Sequence, residues 1–152
     1  MFDHTDYALA VWCAPRAARP KLRILFALDA RLQAIIPSAR EPLLGAIKLA
    51  WWREQLAALD MEAALAEPLL REVVGLLQHD VTGARLSELA TDGSRLDALC
   101  DVVIRLSKGD TRAAHLLRGL DADERARMTA GHPLASPARR ALMAAQIRLL
   151  GR

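Results

Sequence analysis

Apolar residues recur along this chain in steps of three and four, and no stretch alternates in the way a half-buried strand does. The pattern predicts a first helix from Thr5 to about Arg16, carrying Tyr7, Leu9, Trp12 and Cys13 and stopped near Pro15. A second helix opens at Pro20, whose missing N–H costs nothing in a first turn. Leu22, Leu25, Leu28, Leu32 and Ile35 form its apolar stripe, and Pro37 ends it. Ser38-Ala-Arg-Glu41 has capping-box spacing and predicts a third helix starting at Ser38, with Pro42 tolerated early. That helix carries two stripes: Leu44, Ile47 and Trp51, and Leu49, Trp52, Leu56 and Leu59. Together they cover more than half its circumference, which predicts a central helix contacted from several sides.

Beyond it, a fourth helix is expected from Pro68 to His79, then a short helix between two loops within Val81–Gly93. Leu96, Leu99, Val103 and Leu106 continue a helix to about Lys108, where Gly109 is a suitable terminator. A short piece over Thr111–Leu117, a hinge-like segment over 119–133 with a small helix from Asp123, and a final helix from Ser136-Pro137 complete the chain. The expectation is a single all-α domain over residues 1–152, a bundle of about 7–8 helices, with its main part over 1–118 and a C-terminal helix over 134–152.

Composition sharpens this picture. Hydrophobic residues make up 53% of the 152 positions and charged residues 26%, enough for a packed core and against disorder. Ala and Leu are abundant, and both lose little entropy in a helix. The net charge of +3 is small and evenly spread, and no aromatic residues alternate with basic ones, so no nucleic-acid partner is expected. Cys13 and Cys100 have no partner at metal-ligand spacing and read as two buried thiols in a reducing compartment. His4, His79, His115 and His132 show no i, i+4 pairing and read as surface residues. The first residues lack the basic segment of a signal peptide, and the apolar stretch Leu43–Trp52 is too short for a membrane span. A cytoplasmic protein with at most peripheral membrane contact is the expectation.

Three stretches carry a family resemblance. Arg19-Pro-Lys-Leu-Arg-Ile-Leu-Phe-Ala-Leu-Asp-Ala30 looks like the helix that ends in the first acidic motif of squalene/phytoene synthases. Arg40–Leu56, with Trp51-Trp52-Arg53 near its middle, resembles their next helix, and Leu86–Leu99, with Asp92-Gly93 inside, is similar to their Leu-x-x-Leu…Asp-Gly segment. The likeness covers about residues 7–118. It implies an isoprenoid-synthase-like bundle, here truncated, in which Asp-rich motifs on facing helices hold magnesium against an isoprenyl diphosphate.

At the place where the resemblance puts the first acids stand Ile36, Pro37 and Arg40, none of which ligates a hard cation. Asp29 comes one to two turns too early, and Glu41 lies past the break. Asp97 and Asp101, four apart on one helix face, are the candidates for a second motif, with a solvated charged face as the alternative reading. No catalytic residue and no cofactor are therefore expected, Mg²⁺ entering only if a partner subunit supplies acids to a prenyl transferase. Trp51 and Trp52 read either as packing anchors or as the lining of a prenyl pocket, and Arg23, Lys48 and Arg53 either as phosphate-attracting or as solvated cations.

Three function classes stay open. The first is a non-catalytic binding or assembly protein with an isoprenoid or lipid ligand, a role the resemblance permits because the family includes acid-less members, one implicated in assembling respiratory complex I. The second is the partner-dependent transferase, and the third a helical interaction module. A truncated bundle leaves an apolar face uncovered, so a homo-oligomer or stable hetero-complex is expected.

Overall fold

The computed structural model describes residues 2–59, 67–91, 95–131 and 137–150, Leu150 by its backbone alone. Among them the fold is all-α. In chain order the helices are α1 (His4–Cys13), α2 (Arg19–Ser38), α3 (Pro42–Ala57), α4 (Pro68–Val74), α5 (Gly83–Ser87), α6 (Arg95–Leu106), α7 (Arg112–Thr129) and α8 (Pro137–Leu150), with a 3₁₀ turn at Glu88–Ala90. No strand occurs among the described residues, whose one β-type pairing is an isolated bridge between Gln78 and Val81. None of their helices is long and apolar enough to cross a membrane.

The centre of the bundle is α2. Its stripe of Leu22, Leu25, Leu28, Leu32 and Ile35 is buried as its spacing predicts, and the helix touches α1, α3, α4, α6 and the 3₁₀ turn. On one side α6 and α7 pack together through Leu99, Val103 and Leu106 and through Ala113, Leu116, Leu117 and Leu120. On the other, α3 packs on α5 and on α2. Reciprocal bonds cap α1: the Asp6 N–H donates to Asp3 Oδ1 (2.9 Å) and the Asp3 N–H to Asp6 Oδ2 (3.0 Å). After α6, Lys108 and Gly109 take positive φ (54° and 87°), and the Gly109 N–H returns to the Ile104 carbonyl (2.9 Å), the termination expected of that glycine.

Four sequence expectations are corrected. Ser38 does not cap α3. It closes α2, where its hydroxyl donates to the Ile35 carbonyl (3.2 Å), while Pro42 fixes the start of α3 and holds Glu41 extended before it. Nor is α3 central: Gly45, Trp52 and Leu56 are buried, but Leu43, Leu44, Ile47 and Trp51 face outward. The fourth helix ends at Val74 rather than His79, because Gly75 is a poor helix residue and Leu76 and Val81 turn into the core across the Gln78–Val81 bridge. The hinge-like segment over 119–133 is not a hinge as far as Thr129. Residues 112–129 are one helix, braced by the i, i+4 pairs Asp121–Arg125 and Asp123–Arg127. Inside it Gly119 lies under Met143 of α8, a place where a Cβ would sit 3.2 Å from the sulfur. His132, Ser136, Asp92-Gly93 and the end of the final helix past Leu150 lie outside the described residues.

Two chain-distant helices, α1 and α8, are joined by polar contacts. Arg140 donates to Asp3 (3.0 Å) and to Asp6 (2.7 Å), and the Arg148 guanidinium lies 4.1 Å over the Trp12 ring while donating to the Trp12 carbonyl (3.0 Å). Between them the Cys13 thiol points at the Ala144 carbonyl (3.4 Å). Cys13 and Cys100 are both buried and free, as their sequence context suggests.

The tightest backbone approach gives a direct test. A Cβ on Gly83 would meet the Leu56 carbonyl oxygen at 2.4 Å, backbone against backbone, where α5 begins beneath α3. Gly83→Ala is expected to cost about 1–3 kcal/mol of unfolding free energy, measured by urea denaturation.

Candidate functional site

Where α1 crosses α2, small residues leave the space between the two helices unfilled. Ala8 on α1 and Ala27 and Ala30 on α2 form the walls of a groove of about 460 Å³. Its floor is aromatic. Tyr7 stacks on Phe26 (ring centroids 4.9 Å apart, 20° between planes), and Phe2 meets Tyr7 edge-on at 6.0 Å. At the mouth stand His4 and Arg23, both exposed. The groove is thus an apolar trough with one permanent cation at its rim.

Behind the floor lies a buried polar cluster. Asp29 is 0% exposed although its neighbours along α2 are leucines. The Tyr7 hydroxyl donates to Asp29 Oδ2 (2.5 Å), and Gln33 Nε2 donates to the same oxygen (3.0 Å) and to the Tyr7 oxygen. Arg95, at the start of α6, brings a guanidinium nitrogen to 3.3 Å from Oδ1, an ion pair outside hydrogen-bond geometry. Burial raises the Asp29 carboxyl above its usual range, and the charge of Arg95 and the Tyr7 hydroxyl pull against that rise. Burial and then the adjacent carboxylate push the Tyr7 phenol up, so it serves as a donor and not as an acid. The cluster joins α1, α2 and α6 and positions the ring that floors the groove.

The residues proposed from sequence do not converge on one pocket. Arg23 lines the α1–α2 groove. Arg53 borders a separate pocket of about 260 Å³ with Ile36, Ala46, Leu49 and Ala50, and Lys48 is exposed on α3. Trp52 is 5% exposed and belongs to the core, whereas Trp51 is 44% exposed, its ring edge-on to Trp52 at 5.5 Å. Asp97 is exposed, with Arg118 at 3.6 Å. Asp101 is bound by Arg85 and Arg105, each at 2.8 Å, and the Arg105 hydrogen bond is the largest influence holding its carboxyl below the usual range. Ile36, Pro37 and Arg40 are all exposed. Among the described residues no group of three or more His, Cys, Asp or Glu side chains comes together as a metal-ligand set. Sequence reasoning missed Phe2, Tyr7, Phe26 and the Asp29–Arg95 pair. One signal was there, since Asp29 interrupts the inner register of an apolar stripe.

The comparisons with known proteins add nothing to this geometry: no family model, no curated protein and no solved structure matches the chain.

Two substitutions test the cluster. Tyr7→Phe removes the shortest bond to a buried carboxylate and is expected to cost about 1–3 kcal/mol in chemical denaturation. The pH response of Asp29 follows from the direction of its shift. A carboxyl raised on folding binds its proton more tightly in the folded state, so its contribution is greatest at low pH and is lost as pH rises above 3.8 through the raised value. Comparing wild type with Asp29→Asn across that window, the stability difference is expected to move steadily against the wild type as pH rises. Elsewhere, Trp52→Ala is expected to cost about 3–5 kcal/mol and Trp51→Ala under about 1 kcal/mol, because only the former empties a packed site.

Proposed function

We propose that this chain is a non-catalytic binding or assembly protein of squalene/phytoene synthase-like architecture, whose α1–α2 groove takes an amphiphile with an apolar, prenyl-like tail and an anionic head. The observation that carries the reading is the pairing of an aromatic trough with Arg23 at its mouth. A flexible apolar chain fills such a trough by displacing water from aromatic and alanine surfaces, and a guanidinium at the rim fixes the polar end.

The non-catalytic part rests on residue identity. Where the resemblance calls for metal-holding acids the chain has Ile36, Pro37 and Arg40. Asp101, a candidate for the second motif, already neutralises two arginines, and Asp29, which lies behind the groove floor, faces Arg95. An isoprenyl diphosphate bound here meets the Arg23 guanidinium and, among the described residues, no cluster of carboxylates, an arrangement suited to holding the molecule rather than ionising it.

The test is the melting temperature with farnesyl or geranylgeranyl diphosphate, with and without magnesium. Binding to the native state alone adds about 2.7 kcal/mol of stability at a hundredfold excess over the dissociation constant. An equal rise under both conditions is expected, lost in Ala27→Trp, which fills the groove, and weakened in Arg23→Ala. A rise that requires magnesium favours the transferase that borrows acids from a partner subunit. No rise in either condition removes the ligand from this account.

A further inference from the structure

We propose that the outer face of α3 is the contact surface of a symmetric homodimer, in which α3 of one copy lies antiparallel against α3 of a second copy about a two-fold axis at Ile47. This surface shares no residue with the lining of the α1–α2 groove and does not depend on the groove's ligand.

Leu43, Leu44, Ile47 and Trp51 are between 44% and 69% exposed. At about 100° per residue they fall in one stripe opposite the buried Gly45, Trp52 and Leu56. Four large apolar side chains on one helix face form the kind of continuous patch that marks an interaction surface.

Charge selects the occupant. Arg40, just before α3, and Glu54, on the stripe three to four turns later, are both exposed, and neither has an ion pair or hydrogen bond among the described residues. In an antiparallel pair centred on Ile47, residues equidistant from the centre meet at the same height. Arg40 of each copy then faces Glu54 of the other, giving the pair twice. Leu43 comes beside Trp51 of the second copy. Leu44 lands against Ala50, at the mouth of the pocket that Ile36, Ala46, Leu49 and Arg53 help to line. A parallel pairing sets Arg40 against Arg40 and Glu54 against Glu54, so the order of charges excludes it. Glu54 within the stripe also opposes an anionic lipid surface, which leaves a second copy of the chain as the partner the face fits. Lys48 lies about a quarter-turn off the contact and reaches water.

The experiment is sedimentation velocity of the full chain over a dilution series, with a dimer expected at the concentrated end. Ile47→Asp places two carboxylates together on the axis and is expected to weaken association by at least about tenfold, with the circular dichroism and melting temperature of the monomer retained. Arg40→Glu alone is expected to weaken the dimer, and Arg40→Glu combined with Glu54→Arg to restore it. Any one of three results overturns the proposal: a wild-type monomer at every concentration, a dimer indifferent to Ile47→Asp, or a double swap that does not recover what the single one loses. Cosedimentation of a monomeric wild-type chain with phosphatidylserine vesicles, abolished by Trp51→Ala, overturns it in favour of a membrane surface.

Discussion

A carboxylate at zero exposure has to be held from several sides, and the arrangement of this bundle follows from how Asp29 is held. Its partners come from three elements: Tyr7 on α1, Gln33 on α2 itself and Arg95 at the start of α6. Leucines beside Asp29 bury the same stretch of helix, so the desolvation that drives the core is also what makes the partners obligatory. Apolar packing alone would let α1 and α6 slide along α2. A directional cluster between them fixes one register, and with it the seat of the Tyr7 ring and the width of the trough beside it.

The groove and the α3 stripe share a cause. Each is apolar surface that the described fold leaves open, the first because Ala8, Ala27 and Ala30 are too small to fill the gap between helices, the second because no described element packs on the outside of α3. They differ in shape. The groove is concave and has a single cation at its rim, which suits a narrow amphiphile; the stripe is convex and has opposite charges at its two ends, which suits another helix.

How much of this was legible along the chain depended on whether local spacing or distant contact decided the matter. The α2 stripe and the glycine end of α6 follow from local sequence, and the structure has them in place. Lost were the features settled by pieces far apart in sequence. Two apolar stripes on α3 read as a central helix contacted from several sides, because spacing cannot say whether a second layer exists to cover the outer one. Gly119 read as a hinge because a glycine inside a helix lowers expected stability, yet here its missing side chain makes room for Met143. Arg23 was picked out for its charge and does border the groove, but the aromatics that make the groove worth bordering lie on another helix. Asp29, a charge in an apolar register, carried a signal that went unread, and its partner Arg95 stands 66 positions away.

The docking of α8 on α1 also bears on the order in which the chain can settle. Asp3 and Arg140 are separated by 137 positions, and the α1 surface is covered by α7 and α8 together. The first helix therefore waits, after it leaves the ribosome, for the last one to arrive before its apolar face is shut away from water. Contacts of such long separation are reached late and at an entropic cost, which places the closing step of folding at the seam between the two ends of the described chain, far from the cluster around Asp29.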